Sequence, residues 1–143
     1  MKFFNQKQLA ICLLVLTAIP FPVLALMKLS GQSASTVDPV LMLHVYTGVL
    51  TAFTAGMQWS IHFCKRTADS VYLFSVFILV LVLYSLFSAG EKSGLALALP
   101  GVVMTWIIEL RLSRQRVTTA WFWHGRCIVS FAAVASILLV LVV

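Results

Sequence analysis

Long stretches of this chain carry no charged side chain, and the few charges sit almost entirely at the ends of those stretches. A hydrocarbon core about 30 Å thick takes roughly 20 apolar residues per helical span. Five apolar runs of about that size can be drawn, at about 9–29, 40–63, 70–88, 95–110 and 121–143. Backbone N–H and C=O groups have no water partner in lipid, so such runs must close their hydrogen bonds within themselves, as helices. The expected fold is all-α, an integral membrane bundle of five transmembrane helices in one domain over residues 1–143. Composition excludes the alternatives: 62% of the 143 residues are hydrophobic and 10% are charged. A soluble domain has about 45–50% and about 25%.

Each run carries its own punctuation. The first is longer than the roughly 7–15 residues of a secretory h-region, so it is expected to be a retained span. Pro20 and Pro22 lie inside it. Each lacks a backbone donor and clashes with the preceding turn, so a kink or break is expected there. Ser30–Val37 is small and polar, a loop, and Asp38-Pro39 has the form of an N-cap followed by proline at the first helical position. The second run ends at Cys64-Lys65-Arg66. Ala89–Gly94 is expected to be a short turn holding Glu91 and Lys92. Pro100-Gly101 falls near the start of the fourth run, and Leu112–Thr119 forms a basic loop with Arg111 at its entrance.

The formal net charge is +6. With the N-terminus inside, Lys2, Lys7, Lys65, Arg66, Arg111, Arg114, Arg116 and Arg126 fall on the inner side, and Lys28 and Lys92 on the outer. Basic residues favour the cytoplasmic side of short loops. The expected topology is N-terminus inside and C-terminus outside, in a bacterial inner membrane. The basic excess is then a matter of insertion, with anionic lipid headgroups as its partners at about 1 kcal/mol per side chain, and no nucleic acid is called for.

Cys12, Cys64 and Cys127 all fall near inner ends, where an oxidising compartment does not reach them. The second run holds most of the polar side chains: His44, Thr47, Thr51, Thr54, Gln58 and His62. It also carries Gly48, Ala52, Gly56 and Ser60 at every fourth position, a small-residue face of the kind that lets membrane helices approach closely. This span is expected at the centre of the bundle.

At the inner end Trp59, His62, Glu109, Arg111, Trp121, His124 and Arg126 are expected to converge. Tryptophans and basic residues there form an aromatic belt with snorkelling cations. Glu109 stands apart, because a carboxylate after a long apolar run needs a cation, either Arg111 or Arg126. A structural ion pair between spans four and five is the plainer reading of it, and a proton-handling or headgroup-binding carboxylate is the functional one. His62, Cys64, His124 and Cys127 form a zinc-compatible set if spans two and five pack side by side, although their spacing matches no established zinc pattern. A haem could use His62 with His124 but not His44 with His62, which lie about 27 Å apart on one helix. No cofactor is predicted; haem, quinone and zinc are the alternatives weighed. No Walker loop, dinucleotide fingerprint, HExxH or GxSxG is present.

Several steps of the sequence resemble a bacterial family of small multi-span membrane proteins of unknown function that includes the mitochondrial transmembrane protein 69. Ile19-Pro20-Phe21 is similar to its leucine-proline-phenylalanine step. Tyr46, Leu50, Phe53, Gly56 and Trp59 are similar to its second-span pattern, and Trp121-Phe122-Trp123-His124-Gly125-Arg126 to the step opening its last span. Glu109 stands where that family tends to have aspartate. Ala55, Gln58 and Gly125 depart from the pattern, and the third span carries little of it. The resemblance implies a five-span inner-membrane bundle and no reaction. On chemical grounds Tyr46, Trp59, Glu109 and Arg126 are then the candidates for a shared inner-face site.

The function expected from these features is non-catalytic: an accessory, assembly or stabilising subunit that packs against a larger membrane complex. One alternative is a lipid-, quinone-, haem- or metal-binding membrane protein using the inner-face polar cluster. A second is a small exporter or channel using Thr47, Thr51, Thr54 and Gln58.

Overall fold

The computed structural model describes residues 6–31, 38–65 and 69–143. Among these the regular structure is helical throughout: α1 Gln6–Leu16, α2 Pro20–Leu29, α3 Pro39–Lys65, α4 Asp69–Leu86, α5 Lys92–Arg114 and α6 Ala120–Val142. The expected Ser30–Val37 loop falls largely outside the described residues, as do Lys2 and Arg66. Four segments are long and apolar enough to cross a membrane: Gln8–Leu29, Pro39–Lys65, Lys92–Arg114 and Ala120–Val142. The apolar helix Ser70–Leu86 is shorter, at about 26 Å, close to the thickness of the hydrocarbon core. With α1 and α2 taken as one interrupted span, the helices fit the expected count of five.

The interruption falls at Thr17–Ile19, just before the first proline. Pro20 has no N–H to return to Leu16, and its ring crowds the turn before it. The chain tightens instead, with Ala18 N donating to Val15 O at 2.9 Å and Ile19 N to Leu16 O at 3.3 Å. The Thr17 carbonyl is taken by the Tyr46 hydroxyl of α3 at 2.8 Å. Phe21 packs edge-on against the same tyrosine ring, with centroids 5.1 Å apart. The break is thereby pinned to α3 with the freed backbone group satisfied.

α3 starts as its sequence indicates, with Asp38 Oδ1 accepting from Val40 N at 2.9 Å. It is the inner helix of the bundle, packed against α2, α4 and α5. α5 lies between α4 and α6, α1 and α2 lie against α6, and α3 meets α6 only slightly. Two apolar clusters fill the spaces. Phe21, Leu43, Leu95, Val129 and Ile137 belong to one, and Ala55, Ile78, Val82, Ile108 and Leu112 to the other.

α5 is longer at both ends than expected. It begins at Lys92, inside the expected turn, and ends at Arg114, inside the expected basic loop. Pro100 therefore lies well inside the helix rather than near its start. The stop is a Schellman closure: Val117 N donates to Leu112 O at 2.9 Å and Arg116 N to Ser113 O at 3.0 Å. Val117 packs on the cluster that contains Leu112, the apolar contact that commonly accompanies this motif. Arg116 takes the left-handed position with φ 56°, a place more often held by glycine. Arg111 and Arg114 end inside the helix, where cations favour the carbonyl-rich terminus.

The opposite turn, between α4 and α5, is tight. Gly90 has φ 91°. A Cβ on Gly94 would lie 2.3 Å from Ser88 O and 2.7 Å from His44 Cε1. Gly56 is the contrast, since a Cβ there would meet nothing within 4 Å. Gly94→Ala is expected to lower the thermal unfolding midpoint in detergent clearly, by about 1–3 kcal/mol of overpacking. Gly56→Ala is expected to leave it unchanged, and a midpoint equal for both variants would contradict the packing described here.

Candidate functional site

The polar side chains of α3 form one buried stripe. His44, Thr47, Thr51, Thr54 and Gln58 are each at most 5% exposed. Their spacing alternates three and four, which keeps them on one face of a 3.6-residue helix. The three threonine hydroxyls donate to carbonyls of their own helix: Leu43 O, Thr47 O and Leu50 O, at 2.7–2.8 Å. That leaves their oxygen lone pairs directed at neighbouring helices.

Arg126 of α6 uses one of them. Its Nη2 donates to Thr54 Oγ1, and its Nε donates to Glu109 Oε1 of α5 at 2.8 Å. Glu109 and Arg126 are 5% and 8% exposed. The α6 helix, 23 residues long, measures about 35 Å, and Arg126 lies about 9 Å along it from Ala120. With α6 centred on a core about 30 Å thick, the pair would lie roughly 6–7 Å inside the hydrocarbon boundary, so Arg126 is drawn into the bundle instead of standing with the inner-side cations. A lone charge costs about 2.5–3.5 kcal/mol at the centre of a span on insertion scales and less toward its end, and pairing removes the net charge. Thr54 brings a third helix into the same contact. Glu109 Oε2 is buried without a hydrogen-bond partner among the described residues.

A second junction lies next to it. Gln58 donates from Nε2 to Thr105 O of α5 at 3.3 Å and accepts at Oε1 from Ser75 Oγ of α4 at 2.9 Å. A third lies toward the other end of the bundle, where His44 Nε2 and Ser85 Oγ are 3.2 Å apart. Between α2, α3, α5 and α6 the hydroxyls of Thr51, Thr105 and Ser130 and the Arg126 side chain line a cavity of about 20 Å³, which is room for one water. A larger groove of about 270 Å³ opens between α1, α3 and α6, with Arg126 on its wall.

The residues expected to converge are only partly brought together. Glu109 meets Arg126 and not Arg111, because residues two apart on a helix do not share a face. Arg111 is exposed beside a surface pocket of about 140 Å³ lined by Phe74, Met104, Ile107 and Ile108. Trp59 and His62 belong to an aromatic group around Tyr72, each with ring centroids 5.8 Å from it. The Trp59 indole nitrogen is buried with no partner among the described residues. Trp121 packs edge-on to Phe122. His124 is exposed, and its Nδ1 lies 2.6 Å from Ala120 O. Tyr46 serves the α1–α2 break, about 12 Å along α3 from Thr54, and has no bond to the ion pair among those described.

Cys64 is exposed, and Cys127 accepts from Trp106 Nε1 at 3.4 Å. Among the described residues no three His, Cys, Asp or Glu side chains are grouped to hold a metal. His62, Cys64, His124 and Cys127 are thus not assembled, and the slight α3–α6 contact is the reason.

The small-residue stripe winds around α3. Gly48 is buried against α4, where a Cβ would lie 3.3 Å from Leu86 Cδ2. Ala52 is half-buried, Gly56 faces open space and Ser60 is exposed. The side-chain partners Ser75 and Ser85, and the cavity-lining Thr105 and Ser130, are not marked in the sequence. Single serines and threonines in apolar helices give no signal of their own. The three-four spacing on α3 marks the face they must meet.

The sequence pattern of a family described as protein of unknown function (DUF3429) matches residues 6–142. No match was found among curated proteins or among solved structures.

The ion pair should behave as a unit. Removing one partner of a buried pair strands the other, at about 3–5 kcal/mol, whereas replacing both by apolar groups is often neutral. Arg126→Leu and Glu109→Leu are each expected to reduce the yield and unfolding midpoint of the protein sharply. The double variant should recover most of both. A double variant as poor as the sum of the singles would show that the two side chains act independently.

Proposed function

The chain belongs to the DUF3429 family of proteins of unknown function, and from that premise we propose that it is a non-catalytic accessory, assembly or stabilising subunit that packs against a larger membrane complex. The observation carrying this reading is the surface-facing part of the small-residue stripe on α3, Gly56 and Ser60. Gly56 has open space where a side chain would stand. It is flanked by Phe53 and Phe63, 64% and 69% exposed. Small residues framed by large apolar ones suit a second helix, since close backbone approach is a main source of association energy in lipid. The buried polar groups support a structural role as well, because the ion pair, Gln58 and the threonine hydroxyls are engaged in helix–helix or helix-backbone bonds.

The reading extends to kinship with transmembrane protein 69, on the resemblance of the proline step, the second span and the last-span opening. It places the chain in a bacterial inner membrane with the N-terminus inside and the C-terminus outside. Lys65, Arg111, Arg114 and Arg116 gather at one end, where Lys65 Nζ donates to Val117 O at 2.7 Å. Lys28 and Lys92 lie at the other end. The first group suits anionic headgroups of the inner leaflet.

Two measurements test this. In blue-native gels of gently solubilised membranes the protein should migrate in a large complex, and Gly56→Leu should release it at the monomer mass. Migration of the unaltered protein only at the monomer or homo-oligomer mass, in several mild detergents, would overturn the subunit reading. An alkaline phosphatase fused after Val143 should be active, as an outer C-terminus requires. An inactive fusion, with a fluorescent protein at the same place bright, would reverse the topology.

A further inference from the structure

The groove between α1, α3 and α6 goes beyond a helix-docking role. Ala10, Leu13 and Thr17 form one wall, Phe53 and Met57 the other, and Arg126 lies at its polar point. Leu13 and Phe53 are 56% and 64% exposed, so the groove opens sideways to lipid rather than to water. Its wall is set by close packing elsewhere: a Cβ on Gly125 would lie 3.2 Å from Leu14 Cδ1, so α1 rests on α6 at a glycine. A volume of about 270 Å³ falls near the roughly 300 Å³ lower end of ligand pockets. It takes a ring and the start of a tail, and not a whole phospholipid.

The chemistry at Arg126 narrows the occupant. A guanidinium has five N–H donors. Glu109 Oε1 and Thr54 Oγ1 take one each. With Glu109 balancing its charge, the group has no need of an anion, but it still offers donors. The depth matters equally. With α6 centred on the hydrocarbon core, Arg126, about 9 Å along it from Ala120, lies roughly 6–7 Å below the boundary. A lipid phosphate stays outside that boundary, while a neutral ring carbonyl on an apolar tail enters it. We propose that the groove is a binding site for a membrane quinone, with a ring carbonyl accepting a hydrogen bond from Arg126, the ring between Phe53 and α1, and the isoprenoid tail leaving toward lipid past Leu13.

Decylubiquinone binding to the full chain in phosphatidylethanolamine–phosphatidylglycerol nanodiscs tests the site. Binding should saturate at one per chain. Ala10→Phe, which fills the groove without touching the ion pair, should weaken it about tenfold, equivalent to about 1.4 kcal/mol. Arg126→Lys, which keeps a cation beside Glu109 but lacks the planar donor set, should also weaken it in protein that remains monodisperse. Leu138→Phe, on an exposed part of α6 away from the groove, should bind as the unaltered chain does. Uptake that never saturates, or that is equal in all four proteins, overturns the proposal. So does a phospholipid adduct in native mass spectra that Ala10→Phe removes while decylubiquinone shows no saturation, because the groove would then belong to the bilayer lipid.

Discussion

A guanidinium and a carboxylate inside hydrocarbon are tolerable only in contact, and that requirement fixes how the helices of this protein meet. Arg126 and Glu109 hold α6 against α5, and the Thr54 hydroxyl draws α3 into the same point. Apolar side chains have no comparable preference, since lipid tails are as apolar as leucine. The two apolar clusters fill space on either side of α3 and α5. They do not by themselves specify which faces are turned inward. The polar junctions do that, each one joining α3 to a neighbour through a bond lipid could not replace.

Much of this was legible in the residues, and what was not has physical causes. Helix number and approximate extent follow from the apolar runs. The Asp38-Pro39 start was plain because its chemistry is local. The end of α5 was hidden because no glycine marks it; Arg116 adopts the left-handed conformation in its place. Glu109 stood out as needing a cation, yet two arginines were available. Only helix geometry, with residues two apart facing different ways, selects Arg126 over Arg111.

The two stripes on α3 teach the sharper lesson. Residues four apart advance about 40° beyond a full turn, so Gly48, Ala52, Gly56 and Ser60 wind from the core to the surface. Residues spaced three and four in alternation drift only about 20° per seven. His44, Thr47, Thr51, Thr54 and Gln58 therefore stay in the core along its whole length. A glycine-based pattern attracts attention first, but here the period rather than the residue type separates the interior face from the outward one.

The short connection between α5 and α6 carries a consequence for how the chain enters the bilayer. Only Gln115–Thr119 separates the helix bearing Glu109 from the helix bearing Arg126. The two charges thus sit on adjacent arms of one hairpin and can neutralise each other before either is stranded. Insertion of α5 alone would carry an unpaired carboxylate into lipid, so the two arms favour entry as a single helical hairpin. Entry of these two arms is then a concerted step. The later arm supplies the cation that lets its predecessor settle.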